Sequence, residues 1–193
     1  MKMKRDVFLL GSSALMAACA LRANADPTTF VTLSSADEPF RAEFNRQRAA
    51  VRVVELVSPT CPFCLEGVSK IQQSLFASDH NPHLVGFVIW VPMLGGKAGN
   101  VSEAAALAPD RRVSHYWDGS NDLGACYEHI LPVSTGPAWD VYMLFAPGVL
   151  WRGAEPPKPS FWMHQLTISN APRLDATIFA DQARQMLAKV VSR

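Results

Sequence analysis

The residues of this sequence best suited to chemistry are the two thiols of Cys61-Pro62-Phe63-Cys64. At the start of a helix, the first thiol of such a pair meets backbone N–H groups that no carbonyl claims. It also meets the positive end of the helix dipole, and both favour a thiolate. The second thiol follows within one turn and can attack a mixed disulfide formed on the first. Burial keeps it protonated until that attack is needed. Because the thiolate is the attacking species in thiol–disulfide exchange, the pattern predicts Cys61 as an exposed attacking thiol and Cys64 as a shielded resolving thiol. Pro62-Phe63 adds no positive charge, which points to moderate stabilisation of the thiolate. Two other uses of the pair compete with this one. A structural zinc site needs four ligands, and beyond the N-terminal segment only Cys126 remains, with His80, His83, His115, His129 and His164 scattered. A stapling disulfide gains little from closing so short a loop.

The flanking segments are of the kind that would position such a pair. Residues 51–57, Val-Arg-Val-Val-Glu-Leu-Val, form an almost continuous β-branched run expected to be a buried central strand. Ser58-Pro59-Thr60 ends it, and Pro62 is tolerated in the first turn of the helix that follows because its missing N–H would be unpaired there. Cys64, Val68, Ile71 and Leu75 then share one helical face. Before this unit, residues 30–33 suit a short strand and 38–50 a polar helix carrying Phe40 and Phe44. After it come an apolar strand at 84–91, a glycine loop, a short helix at 102–107, a strand at 113–117 and a helix at 122–131. Two strands, 141–145 and 149–151, are expected to form a hairpin around Pro147-Gly148, and an amphipathic helix at 175–191 closes the chain. Strands alternating with helices argue for a three-layer α/β fold.

Residues 53–64, from Val53 through Glu55, Pro59 and Cys61 to Cys64, resemble the strand, loop and active-site helix of the thioredoxin superfamily. That resemblance implies an α/β/α fold with a central mixed sheet and a C-terminal hairpin plus helix over residues 26–193, and the activity of a thiol–disulfide oxidoreductase. It implies a redox-active disulfide between Cys61 and Cys64, exchange with protein thiols or disulfides and with an upstream redox partner, and no separate cofactor. Thioredoxin carries a buried proton-shuttling acid six residues before its first active cysteine, and Glu55 stands at that offset. A carboxyl in an apolar strand has its pKa raised by desolvation, which suits such a role; a strand glutamate facing solvent or paired with an arginine is the alternative. The order Asp118-Gly119, Tyr127, Gly136-Pro137 and then 141–145 is similar to exported thioredoxins of the cytochrome-maturation type. By that likeness Pro137 is the candidate for the cis-proline that faces the dithiol, with Pro132 as its rival. Ala138-Trp139-Asp140 lengthens the usual spacing, and Thr60 stands where many members carry tryptophan.

The N-terminal residues suggest where the chemistry takes place. Lys2, Lys4 and Arg5, the apolar stretch 7–21 and Ala23-Asn24-Ala25 read as an export signal over residues 1–25. Cleavage there takes the formal net charge from +1 to about −2. A periplasmic or otherwise extracytoplasmic and oxidising location follows, through Sec or twin-arginine export. Membrane contact is expected only if this segment is retained or Cys19 is lipidated. With 49% apolar and 18% charged residues the composition is that of a globular protein, and so small a net charge gives no basis for a nucleic-acid partner. Cys126 is expected to be a core thiol, with a third redox cysteine or an intermolecular link as the alternatives. A second use of the same dithiol is delivery of copper or mercury, with His164 beside Met163 as the extra ligand.

Overall fold

The computed structural model describes residues 29–34, 37–133 and 136–191. The proposed export signal, with Cys19, lies outside them. Among the described residues no helix is long and apolar enough to cross a membrane.

The chain forms β1 (Val31–Thr32), α1 (Phe40–Arg46), β2 (Val51–Val57), α2 (Pro62–Ile71), β3 (Leu84–Trp90), α3 (Val101–Ala105), β4 (Val113–Trp117), α4 (Asp122–Ile130), β5 (Val141–Phe145), β6 (Phe161–His164) and α5 (Ala176–Val191). The six strands make one mixed sheet in the order β1-β4-β3-β2-β5-β6. β2 lies inside it, parallel to β3 and antiparallel to β5. Every residue of β2 is buried, Arg52 and Glu55 included, as its mostly apolar run suggests for a strand covered on both faces.

Side-chain alternation divides the core into two layers. Val51, Val53 and Val57 join Cys64, Val68 and Ile71 of α2 and Phe179 and Ala183 of α5. Val54 and Leu56 face the other way, toward Phe40 and Phe44 of α1 and Leu123 and Tyr127 of α4. The result is the expected α/β/α sandwich, with α2 and α5 on one face and α1 and α4 on the other. Arg52, wholly buried within β2, donates through its two terminal nitrogens to Val149 O at 2.8 Å, Ala146 O at 2.7 Å and Phe44 O at 3.3 Å, while its Nε has no partner.

The C-terminal hairpin departs from the sequence expectation. Residues 149–151 are not a strand; β5 pairs instead with Phe161–His164. The backbone after Pro147-Gly148 is claimed elsewhere, because Gly148 N–H donates to Arg48 O, Val149 O accepts from Arg52, and Trp151 N–H donates to Asn45 Oδ1. Trp151 therefore packs beside Phe40 and Phe44. The proline-rich stretch 156–159 leads back to the sheet edge.

Candidate functional site

Cys61 is the N-cap of α2, in extended conformation, and its sulfur accepts a hydrogen bond from the Cys64 N–H at 3.4 Å. The cause is local: β2 ends at Val57, the turn through Ser58-Pro59-Thr60 reverses the chain, and Pro62 fixes the first helical residue. Ser58 anchors the turn by donating to Met93 O at 2.7 Å. Cys64 is fully buried. Its burial pushes the thiol far above the ordinary value, and the nearby Asp140 carboxylate pushes it further the same way.

Cys61 is not the exposed thiol that the sequence suggests, since only 3% of the residue is accessible. Its side chain turns inward to cap the helix, while Thr60, Pro62 and Phe63 on either side are exposed. The sulfur thus lies one residue beneath the surface. Thr60 Oγ1 donates to the Leu94 carbonyl at 3.3 Å, and Leu94 and Phe63 are large exposed apolar residues flanking this end of the helix.

Glu55 is buried in β2, on the face shared by Val53 and Val57 and hence by α2. It neither faces solvent nor belongs to a salt bridge among the described residues, and its Oε2 has no hydrogen-bond partner. Burial raises its pKa well above the usual carboxylate range. Across the sheet it is paired with Tyr142.

Pro137 does not take the expected form. The cis peptide among the described residues is Glu38–Pro39, so neither Pro137 nor Pro132 supplies a cis bond before β5. Ala138 N–H donates to Gly124 O at 2.8 Å, which ties that stretch to α4 on the opposite side of the sheet. The residue that meets the dithiol is Asp140, three positions later. Cys61 Sγ, Cys64 Sγ and a carboxylate oxygen of Asp140 lie within 4.8 Å of one another. Asp140 is 3% exposed and has a positive φ of 53°, a backbone state that Asp and Asn tolerate better than most residues.

Two further side chains complete this group. Tyr142 Oη donates to Asp140 Oδ1 at 2.8 Å. Gln165 Nε2 bonds Phe63 O at 2.7 Å, Tyr142 Oη at 2.8 Å and Asp140 Oδ1 at 3.2 Å. Burial raises the Asp140 pKa, partly offset by the Tyr142, Gln165 and Cys64 contacts. Gly67 makes room for the group, because a Cβ there would meet Tyr142 Oη and Gln165 Nε2. Sequence reasoning missed Asp140, Tyr142 and Gln165. The one available signal was Asp-x-Tyr at the entry to a strand, a spacing that puts both side chains on one face.

His164 does not join this group. It is paired with Val141, on the face opposite Tyr142, and its Nε2 contacts Ala171 O at 3.0 Å. The copper or mercury reading therefore lacks its imidazole. Cys126 is half-buried rather than a core thiol.

No family model matches the chain, and no curated protein matches it by sequence. Solved structures do. A secreted Mycobacterium tuberculosis disulfide oxidoreductase described as homologous to E. coli DsbE superposes with a TM-score of 0.51 at 13% identity, over 82% of this chain and 97% of that one. A thioredoxin-like protein in the oxidised form gives a TM-score of 0.49 at 14% identity, over 72% of this chain and 79% of that one. A thioredoxin-family thiol:disulfide interchange protein from Chlorobium tepidum gives 0.48 at 12% identity, over 74% and 83%. The chain has a thioredoxin-like fold.

Proposed function

We propose that this protein is an extracytoplasmic thiol–disulfide oxidoreductase acting on protein thiols or disulfides, exported by its N-terminal segment. The observation that carries the reading is the pairing of Cys61, capping α2, with a deeply buried Cys64 whose N–H points at the first sulfur. A helix N-terminus stabilises negative charge on the first sulfur, and burial withholds reactivity from the second until a mixed disulfide forms beside it. A substrate sulfur approaches from the side of the exposed Thr60, Pro62 and Phe63, which must give way to admit it to the buried Cys61. Glu55, held on the α2 face of β2, is a buried acid available for proton transfer. The likeness in fold to a secreted disulfide oxidoreductase is in keeping with this reading.

Insulin reduction with dithiothreitol as the terminal reductant tests it. Cys61→Ser is expected to abolish the catalysed rate, and Cys64→Ser to accumulate mixed disulfides with the substrate. Equal rates in both variants and the parent would refute the proposal.

A further inference from the structure

Resolution of a mixed disulfide needs a base at Cys64. That thiol is wholly buried, so its proton has no direct path to solvent. Two buried carboxyl groups belong to this face of the sheet, and they are not equivalent. Glu55 lies in β2 with Oε2 unpartnered. Asp140 has a carboxylate oxygen within 4.8 Å of both sulfurs. The Cys64 thiol is among the contacts that help to keep Asp140 ionised. Asp140 Oδ1 also accepts from Tyr142 Oη and from Gln165 Nε2, so its negative charge is solvated by fixed donors rather than by water. Gln165 in turn holds Phe63 O, between the two cysteines. The carboxylate is thus fixed relative to the dithiol by hydrogen bonds from two elements, and its own backbone O accepts from Gln165 N–H at 3.0 Å.

We infer that Asp140, not Glu55, is the immediate proton acceptor for Cys64, with Tyr142 and Gln165 as positioning residues. The inference rests on the exchange reading above. Cys61 thiolate attacks a substrate disulfide R–S–S–R′, forming Cys61–S–S–R and releasing R′S⁻. The Asp140 carboxylate takes the Cys64 proton, and the Cys64 thiolate attacks Cys61 Sγ. The S–S bond between Cys61 and R breaks as the Cys61–Cys64 disulfide forms, and RS⁻ recovers the proton from Asp140 or from water. The dithiol loses two electrons and the substrate disulfide gains them. Proton transfer to Asp140 also removes the negative charge that would otherwise oppose a thiolate at Cys64. The groups facing Asp140 are Cys61 and Cys64 at the start of α2, Tyr142 from β5 and Gln165 just after β6; His164, on the other face of the sheet, acts on it only through its charge, and Glu55 of β2 is the cross-strand partner of Tyr142.

One equivalent of 5,5′-dithiobis(2-nitrobenzoate), added to the reduced full chain with Cys19 and Cys126 replaced by serine, separates the two steps. Attack by Cys61 releases the first thionitrobenzoate, and attack by Cys64 on the mixed disulfide releases the second. Two phases in the parent and one in Cys64→Ser are expected; without them the exchange reading falls, and this inference with it. Given two phases, Asp140→Asn is expected to slow the second at pH 7 by about tenfold or more, short of the full 10²–10⁴ of general base catalysis because another base replaces the carboxylate in part. The first phase is not slowed, and the deficit shrinks as pH rises. Asparagine tolerates the positive φ and keeps an acceptor for Tyr142, and a circular dichroism spectrum checks that the variant is folded. Tyr142→Phe removes a donor to the carboxylate and is expected to move the low-pH limb of the second phase to higher pH. A second phase in Asp140→Asn as fast as in the parent, or faster with its limb shifted to lower pH, would overturn the inference and leave the exchange reading intact. So would slowing by Glu55→Gln alone.

Discussion

Gly67→Ala should destabilise the protein although alanine is the better helix former. Gly67 lies in α2, one turn beyond Cys64, and has no unusual backbone torsion to protect. Its Cβ would stand 2.5 Å from Tyr142 Cζ and 2.8 Å from Gln165 Nε2, and closer still to Tyr142 Oη. Tyr142 is fully buried between the sheet and the helix, so its ring cannot swing into solvent. Overpacking of this kind costs about 1–3 kcal/mol. Displacing Tyr142 from Asp140 loses a buried hydrogen bond worth about 1 kcal/mol. The helix gains about 1 kcal/mol from replacing glycine. The balance is a loss of about 2 kcal/mol, which lowers the melting temperature by about 4–8 °C for a chain of this size. Thermal and urea unfolding followed by circular dichroism measure it. The decisive control is the same substitution in a Tyr142→Ala background, where the clash with the ring is absent and Gly67→Ala becomes neutral or stabilising. A melting temperature unchanged or raised in the parent background would refute the reasoning, as would the same loss in both backgrounds.

The buried titrating groups give two opposite pH dependences. Burial raises the folded-state pKa of Glu55 above its ordinary 4.5, so the native protein holds a proton that the unfolded chain releases. Its favourable contribution is full below pH 4.5 and is lost as pH rises through the folded value. Glu55→Gln should therefore raise the unfolding midpoint at pH 7 and change it little at pH 4; an equal shift at both would contradict a buried neutral acid. His115 behaves the other way. Burial lowers its pKa from 6.5 to about 4, while its Nδ1 accepts from Trp90 Nε1 and its Nε2 donates to Ala108 O. The unfolded chain binds the proton more readily, so acidification from pH 6.5 to about 4 should remove on the order of 3 kcal/mol of stability. His115→Gln, which keeps a donor and an acceptor without a titrating ring, should flatten that part of the denaturant midpoint against pH.

The dithiol and its setting were legible in the sequence because they are made locally. A mostly apolar, β-branched run, a turn with proline, and a second proline at the first helical residue point locally to strand, reversal and helix within residues 51–71. The same periodicity put Glu55 on the α2 face with Val53 and Val57. What surrounds the sulfurs was decided by the tertiary structure. The pairing of β5 with β2 brings Tyr142 opposite Glu55, and pairing with β6 carries Gln165 to Asp140. No local pattern encodes those encounters, because they depend on register between segments far apart in the chain. Pro137 was misread for the same reason: its spacing resembled a familiar motif, but a backbone bond from Ala138 to Gly124 holds that stretch to α4. The sequence alone determined that a thiol would cap a helix. Only the assembled sheet determined that the thiol would be covered, and which carboxylate would stand beside it.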